Sequence, residues 1–220
     1  MLEVLYEDNH LIAINKKPGD IIQGDKTGDI PLSDFVKEYI KKKYKKPGQV
    51  FLGTIHRLDR PTSGVVLFAK TSKALSRMNE KFKQKEVEKT YWAIVNKPPP
   101  NDSGTLENYL QKNRKKNKSY VTNKSQGKHA ILHYKILRKL DNFYHLEIRP
   151  KTGRHHQIRV QLANIKCIIK GDLKYGAKRS NNDSSIHLLA KKIEFSHPVK
   201  DKSVTITAPL PKERIWECCV

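Results

Sequence analysis

The sequence predicts an α+β fold built on a mixed, largely antiparallel sheet with a few flanking helices. Short apolar or alternating runs typical of strands recur along the chain, whereas only two stretches carry apolar residues at helical spacing. Proline, glycine and asparagine separate most of these runs, as expected for turns. With 220 residues, 37% of them apolar, the chain can form one sizeable core, and a single domain over residues 1–220 is expected.

The N-terminal third is predicted to combine strands with two amphipathic helices. Apolar side chains recur at helical spacing between residues 32 and 40, and Pro47 and Gly48 end that helix. A second helix begins after Thr71 or Ser72, either of which can cap it. Strands are predicted over residues 2–5, 11–15 and 65–69.

The rest of the chain is predicted to consist mainly of strands, interrupted by one very basic segment. Residues 111–128 are crowded with lysine and arginine, and Tyr120 and Val121 are their main apolar residues. Such a segment cannot build a core of its own. It is either a mobile basic loop or hairpin that grips phosphates, or an exposed connection. The predicted strands are 91–95, 104–110 as an edge, 131–137, 143–148, 187–195 and 204–207.

The charge of the chain indicates a polyanionic partner. Its 44 lysines and arginines against 22 acidic residues leave a formal net charge of +22. An excess of this size attracts nucleic acid. Charge alone does not distinguish an enzyme from a binding protein, or RNA from DNA, because phosphate contacts carry no sequence information.

Composition also argues against several other classes of protein. No apolar run approaches the roughly 18 residues needed to cross a bilayer, and the N-terminus lacks the regions of a signal peptide, so a cytoplasmic protein is expected. The cysteines show no metal-site spacing. His129 and His133 lie in a stretch that is strand-like rather than helical, and no third and fourth ligands accompany them. No glycine-rich phosphate loop occurs, so neither a metal nor a nucleotide cofactor is expected.

The segment from His56 to Gly64 is typical of a loop that presents a working acid. It places Asp59 between Arg57 and Arg60, and proline and glycine then break the chain before an apolar strand. Neighbouring cations favour the ionised carboxylate, and turn residues present it on a loop. Taken alone, an aspartate between arginines is also typical of a surface ion pair.

As a string, these nine residues resemble the signature of the RluA family of RNA pseudouridine synthases. The similarity extends from about Leu2 to about Pro209, so it involves a whole catalytic domain. Members of this family often carry an additional N-terminal S4-type RNA-binding module, and here the motif lies too close to the start for one to be expected. The resemblance continues through Lys89–Ala93, Lys151–Val160 and Gly171–Gly176.

The resemblance implies a cofactor-independent isomerase with three catalytic residues. Asp59 would act on the ribose of a flipped-out uridine, either by attacking C1′ or by removing a sugar proton in a glycal route. Tyr91 would stack on the uracil, a role that suits a phenol of pKa about 10 better than proton removal from C5. Arg159 would pair with Asp59 and keep it ionised.

The resemblance also implies a set of residues that bind RNA, either ribosomal or transfer. Arg57 would fill the space that the base vacates, or else simply balance Asp59. Arg154 would bind a phosphate, and Leu188 would form an apolar floor beneath the base. Leu189 stands where the family commonly has histidine. The predicted RNA-binding set is completed by His56, which also holds the loop, and by Arg60, Gln157, Lys115 and Lys116.

Two other classes of function are compatible with these residues. A non-catalytic RNA-binding protein could retain the fold and the charge, and a metal-free nuclease could use the histidines. The intact aspartate, tyrosine and arginine argue against a non-catalytic protein, and a nuclease would cleave a labelled RNA that an isomerase leaves at full length. A monomer is expected.

Overall fold

The structure, a computed structural model, describes residues 2–24 and 28–219. It divides into two compact units. The first comprises Met1–Glu88 and Ala190–Pro209, and the second comprises Lys89–Leu189 and Leu210–Val220. No helix in the described part of the chain is long and apolar enough to span a lipid bilayer.

Strands dominate the elements of the described residues. The N-terminal part contains β1 (Val4–Glu7), β2 (Leu11–Lys16), α1 (Leu32–Lys43), β3 (Gly53–Thr54), β4 (Ser63–Ala69) and α2 (Ser72–Gln84). The middle contains β5 (Glu88–Val95), β6 (Ser103–Asn113), β7 (Lys118–Thr122), β8 (Lys128–Lys139), β9 (Tyr144–Pro150) and α3 (Gln157–Asn164). The C-terminal part contains a 3-10 turn (Leu173–Tyr175), β10 (Leu188–Ser196), β11 (Ser203–Thr207) and α4 (Arg214–Glu217).

The first unit is organised around strand β4. This strand pairs antiparallel with β2, which pairs in turn with β1. β4 also lies next to β10 and pairs with the short β3, while β11 pairs with β10. All of its residues from Ser63 to Ala69 are buried, which explains why the apolar run is continuous rather than alternating.

Helix α1 packs on the sheet of the first unit through one apolar face. Leu32, Val36 and Ile40 repeat at four-residue spacing and are buried in a cluster with Ile12 and Phe68. The last turn of the helix consists of lysines, which suit the negative end of the helix dipole.

The second unit is a sheet with the strand order β5-β9-β8-β6-β7, in which each neighbouring pair is antiparallel. Its core contains Ala93 from β5, Leu132 from β8, Leu146 from β9, and both Ile158 and Leu162 from α3. Helix α3 is therefore part of the same core as β5.

These elements confirm the predicted α+β class with a mixed, largely antiparallel sheet and few helices. Residues 104–108 form an edge as predicted, because among the described strands they pair with β8 alone, whereas Tyr109 and Leu110 also pair with β7. Helix α3 is absent from the elements that the sequence predicts. All its residues from Gln157 to Leu162 are buried, so it lacks the one-sided apolar pattern of a surface helix.

Candidate active site

Asp59 lies on the loop that leads into β4. The Thr62 N–H donates to the Asp59 carbonyl oxygen at 3.0 Å, which closes a tight turn. Gly64 follows with φ +108°, and a Cβ at this position would lie 2.3 Å from the carbonyl oxygen of Ala190. Glycine is needed here for both its conformation and its small size. The motif therefore fixes the point at which the loop joins the buried strand.

A buried lysine holds this loop through its backbone. Lys16 is 1% exposed, and its Nζ donates to the carbonyl oxygens of Lys17, Arg60 and Thr62 at 3.0, 2.9 and 2.7 Å. Burial lowers the pKa of Lys16 to about 8, while nearby carboxylates, including that of Asp59, oppose the shift. Lys16 thus fixes the loop and adds a positive charge near Asp59.

The other side chains of the motif differ in their exposure. The ring Nε2 of His56 accepts a hydrogen bond from the Leu67 N–H at 3.1 Å, which ties the start of the loop to β4. Arg60 forms an exposed ion pair with Asp29 at 2.8 Å. Arg57 is exposed to solvent. The arginine predicted to enter the space of a flipped base is therefore accessible to a large ligand.

Tyr91 lies on β5, opposite Ile148 of β9. It is half-buried and packs against the core cluster that contains Leu188, the first residue of β10. Leu188 and the following Leu189 are both buried. The structure therefore brings Tyr91 and Leu188 to one apolar cluster, and of the two only the half-buried Tyr91 offers exposed area on which a flat base can stack.

Arg159 lies in the first turn of α3 and is held by a carboxylate from the segment after it. Its Nε donates to Oδ2 of Asp172 at 2.7 Å, and its Nη2 donates to Oδ1 at 2.8 Å. Both side chains are buried. The Cζ atom of Arg159 also lies 5.1 Å from the centroid of the Tyr175 ring. The pair and the aromatic face together fix the plane of the guanidinium.

The loop before α3 is held by Gln157, which is buried. Its Oε1 accepts hydrogen bonds from the Thr152 hydroxyl at 2.7 Å and from the Arg154 N–H at 3.0 Å. Its Nε2 donates to the Ile131 carbonyl oxygen at 3.0 Å. These contacts favour a loop-holding role for Gln157 over direct RNA contact. The side chain of Arg154 is exposed, and its Nε donates to the His129 carbonyl oxygen at 2.8 Å.

The basic segment at residues 111–128 spans the end of β6, all of β7 and the start of β8. Strands β6 and β7 pair antiparallel, and Lys115 and Lys116 lie exposed in the turn between them. We call residues 103–122 the basic hairpin. Backbone pairing gives this polar sequence a defined shape without a core of its own. The segment is thus a hairpin in shape, and its predicted grip on phosphates stays a prediction beside the alternative of an exposed connection.

The model of the RNA pseudouridylate synthase family matches residues 10–164 of the chain. The chain belongs to this family. It is 34% identical over 215 residues to ribosomal large subunit pseudouridine synthase C of Buchnera aphidicola, covering 94% of this chain and 66% of the relative. It is also 30% identical over 230 residues to tRNA pseudouridine synthase C of Pectobacterium carotovorum, covering 94% of this chain and 59% of the relative. The chain thus spans about two thirds or less of the length of these two family members.

A solved structure shows the same fold. Human RNA pseudouridylate synthase domain containing 4 is 22% identical, with a TM-score of 0.80, and the match covers 99% of this chain and 91% of that one. This likeness confirms the pseudouridine-synthase fold that the sequence motifs imply.

Sequence reasoning missed three polar residues that support the site. Lys16 shares a strand face with Ile12 and Ile14 by alternation, a pattern that could have indicated its burial. Asp172 and Tyr175 lie in a segment that carries the family resemblance, but nothing local indicated that they contact Arg159. That contact joins residues 13 positions apart and requires the folded 3-10 turn.

Proposed function

We propose that this chain converts uridines of structured RNA to pseudouridine, with Asp59 as the essential carboxylate. The observation that carries the proposal is the position of Asp59 on a loop fixed by Lys16, in a chain that belongs to the pseudouridylate synthase family. Residues 1–220 would act as one catalytic domain.

The isomerisation breaks the bond between ribose C1′ and base N1, turns the uracil, and rejoins it through C5 with loss of the C5 proton. No oxidant and no energy source are needed, so the chemistry calls for no cofactor. A carboxylate suits the first step because it can trap a cationic sugar carbon, as glycosidase carboxylates do, or remove a sugar proton. Asp59 would fill this role by either route.

Tyr91 and Arg159 would complete the catalytic set. The half-buried ring of Tyr91, at the apolar cluster with Leu188, supports stacking on the uracil. Arg159 carries a permanent positive charge, and Asp172 fixes the orientation of its guanidinium. Such a group is suited to bind a negatively charged reaction partner. The pairing of Arg159 with Asp59 that the motif implies stays a prediction.

Access to C1′ requires that the nucleotide leave its stack. A planar guanidinium can replace the departed base by stacking on its neighbours. Arg57 is exposed two residues before Asp59, which supports this role for it. Arg154 and Arg60, both on the loops of the motifs, would contact phosphates, and His56 would hold the loop.

The target would be ribosomal or transfer RNA, bound in the cytoplasm by a monomeric enzyme. Names of the relatives support both RNA classes, since one is a ribosomal large subunit enzyme and the other a tRNA enzyme. Mapping pseudouridines in total RNA from cells with and without the protein would identify the target.

Replacement of Asp59 by alanine tests the proposal. We expect Asp59→Ala to bind target RNA within about threefold of wild type but to form no pseudouridine, because only the chemical group is lost. Asp34→Ala removes an exposed aspartate of α1 and serves as the matched control, with activity unchanged. Normal pseudouridine formation by Asp59→Ala would refute the assignment.

The basic hairpin is proposed to bind phosphates at a distance from the reacting uridine. In Lys115→Ala/Lys116→Ala, RNA affinity should fall, and the slope of log K against log salt should become shallower by about 0.7 per lost phosphate contact. The single-turnover rate at saturating enzyme should change by less than about twofold. Lys41→Ala/Lys42→Ala, an equal charge change on α1, is the control, and a slope change of the same size there would contradict a specific role of the hairpin.

A further inference from the structure

Tyr175 contacts both the basic hairpin and the Arg159 guanidinium. Its hydroxyl accepts a hydrogen bond from the Ser119 N–H of β7 at 2.9 Å and lies 3.3 Å from the Ser119 carbonyl oxygen. The same hydroxyl is 2.9 Å from Nδ1 of His156, the residue before α3. The face of its ring lies 5.1 Å from Cζ of Arg159. All these residues belong to the second unit.

We propose that Tyr175 is a positioning residue with two roles: its hydroxyl anchors the basic hairpin that binds RNA, and its ring orients Arg159. This inference rests on the proposed function, in which the hairpin holds the RNA and Arg159 takes part in the reaction. The hydroxyl of Tyr175 fixes the hairpin, and its ring fixes the guanidinium. The two halves of one side chain therefore have separable effects.

The position of β7 in the sheet explains why the hairpin needs such an anchor. β7 is the last strand of the second unit and pairs only with β6 among the described strands of that unit. On its other edge, the Tyr175 hydroxyl contacts both the N–H and the carbonyl of Ser119. Ser119 is buried, whereas Tyr120 and Val121 beyond it are exposed. The contact thus fixes the strand where it passes α3.

Two further hydrogen bonds tie the turn of the hairpin to the same region. His155 Nε2 lies 3.1 Å from Oδ1 of Asn117, and Lys174 Nζ donates to the Asn117 carbonyl oxygen at 3.1 Å. His155 precedes His156, which contacts Tyr175. Lys174 precedes Tyr175 itself in the 3-10 turn. The turn with Lys115 and Lys116 is therefore docked on the structure that carries Arg159.

Two positively charged side chains lie close to the ring of Tyr175. Lys118 Nζ lies 5.0 Å from the centroid of its ring, so two cations, Lys118 and Arg159, share one aromatic side chain. Burial lowers the pKa of His156 to about 2, and the charge of Arg159 acts in the same direction, so the imidazole stays neutral beside the hydroxyl. A neutral His156 adds no third cation to this cluster.

Two substitutions of Tyr175 separate the hydroxyl from the ring. In Tyr175→Phe, we expect the RNA dissociation constant to rise about fivefold and the salt slope to become shallower, because the hairpin loses one of the hydrogen bonds that anchor it. The single-turnover rate at saturating enzyme should stay within about twofold, since the ring remains. In Tyr175→Leu, the affinity loss should be similar but the rate should fall at least about tenfold, because the guanidinium loses its aromatic face.

The affinity effect of Tyr175→Phe should not add to that of Lys115→Ala/Lys116→Ala, because both act through the same phosphate contacts. Tyr134→Phe removes the hydroxyl of a tyrosine of similar burial on β8 and is the matched control, with affinity and rate unchanged. A multiplicative affinity loss in the combined variant would overturn the coupling to the hairpin. Equal single-turnover rates for Tyr175→Phe and Tyr175→Leu would overturn the role of the ring.

A readout that does not depend on activity separates this inference from the proposed function. The NMR resonance of the Arg159 Nε–H, which donates to Asp172, should keep its position in Tyr175→Phe and shift in Tyr175→Leu. An unchanged resonance in both variants would overturn the proposal. Should wild type make no pseudouridine in any RNA, the proposed function fails, whereas the resonance and the salt slope still decide the role of Tyr175.

Discussion

Arg159 and Asp172 form a buried ion pair with two parallel hydrogen bonds. The distances are 2.7 Å from Nε to Oδ2 and 2.8 Å from Nη2 to Oδ1, and the two side chains are 4% and 1% exposed. A carboxylate so placed fixes the plane of its arginine, whose positive charge is permanent. We therefore expect Asp172 to support activity by orienting the Arg159 guanidinium.

Even conservative substitutions of Arg159 or Asp172 should strongly reduce activity or stability. Arg159→Lys keeps the charge but loses the fork, and we expect the rate of pseudouridine formation to fall by about 100-fold. Asp172→Asn leaves a buried guanidinium without its counter-charge, so the free energy of unfolding should drop by about 3 kcal/mol. Single-turnover kinetics and urea unfolding measure the two effects. Arg149→Lys, at an exposed ion pair of the same unit, should change neither, and wild-type rates in Arg159→Lys would contradict the prediction.

Much of the site near Asp59 follows from local sequence, whereas its supporting contacts do not. Pro61 and Gly64 predict a loop before a strand because their backbone preferences act within a few residues. The loop is held, however, by Lys16, which lies more than forty positions earlier in the chain. The choice between a surface lysine and a buried one depends on carbonyl groups that converge only in the fold.

The same distinction applies to the strands and to α3. Strand β4 was predicted because burial on both faces gives a continuous apolar run. Where the edge of β6 ends depends on the pairing of β7, and β7 is too polar to signal a strand by its own composition. Helix α3 buries Gln157, Arg159 and Gln161 through specific hydrogen bonds, so hydrophobic periodicity does not reveal it.

Lys16→Met should loosen the Asp59 loop. The change leaves three carbonyl oxygens without their shared donor, and we expect the free energy of unfolding at pH 7 to fall by about 2 kcal/mol. The rate of pseudouridine formation should fall by about tenfold, since the backbone beside Asp59 is no longer fixed. Urea unfolding and single-turnover assays test this. Lys17→Met is the control, because Lys17 is the neighbouring lysine and its side chain is exposed. A rate equal to wild type would show that the loop holds its shape without Lys16.

The buried position of Lys16 also predicts a dependence of stability on alkaline pH. Its pKa is lowered by burial to about 8, below the ordinary value of 10.5, so the folded state releases a proton that the unfolded state keeps. Folding is therefore favoured more strongly as pH rises from 8 towards 10.5. The difference in unfolding free energy between wild type and Lys16→Met should grow across this window. A constant difference between pH 7 and pH 10 would argue against a buried, titrating lysine.

Gly64 should tolerate no side chain, because a Cβ there would clash with the backbone of β10. A comparison with Gly19 separates this clash from backbone strain. Gly64 and Gly19 both have positive φ, +108° and +91°, but only at Gly64 would a Cβ meet backbone, 2.3 Å from the Ala190 carbonyl oxygen. Gly19→Ala should cost about 1 kcal/mol of unfolding free energy from backbone strain alone. Gly64→Ala should cost more than about 3 kcal/mol, because β4 must move away from β10. Equal losses in the two variants, measured by urea unfolding, would show that the close approach is not limiting.

A buried histidine predicts loss of stability in acid. His145 on β9 is fully buried, its ring lies 4.6 Å from that of Trp92 and 6.3 Å from that of Trp216, and neither ring nitrogen has a hydrogen-bond partner among the described residues. Burial lowers the pKa of His145 to about 4, and the charge of Arg138 acts in the same direction. Because the folded pKa lies below the ordinary 6.5, the unfolded state takes up a proton first as pH falls. The contribution of a neutral His145 is therefore complete above pH 6.5 and declines towards pH 4.

His145→Leu isolates that contribution, because leucine has a similar volume and does not titrate. Between pH 7.5 and pH 5.0, wild type should lose about 2 kcal/mol more unfolding free energy than the variant, which corresponds to one proton over 1.5 pH units. Other buried histidines, such as His156, titrate in both proteins and cancel in the comparison. Urea unfolding at the two pH values provides the measurement. Equal losses of unfolding free energy in wild type and variant would show that water or another group binds the His145 ring in solution. Burial would then not be lowering its pKa.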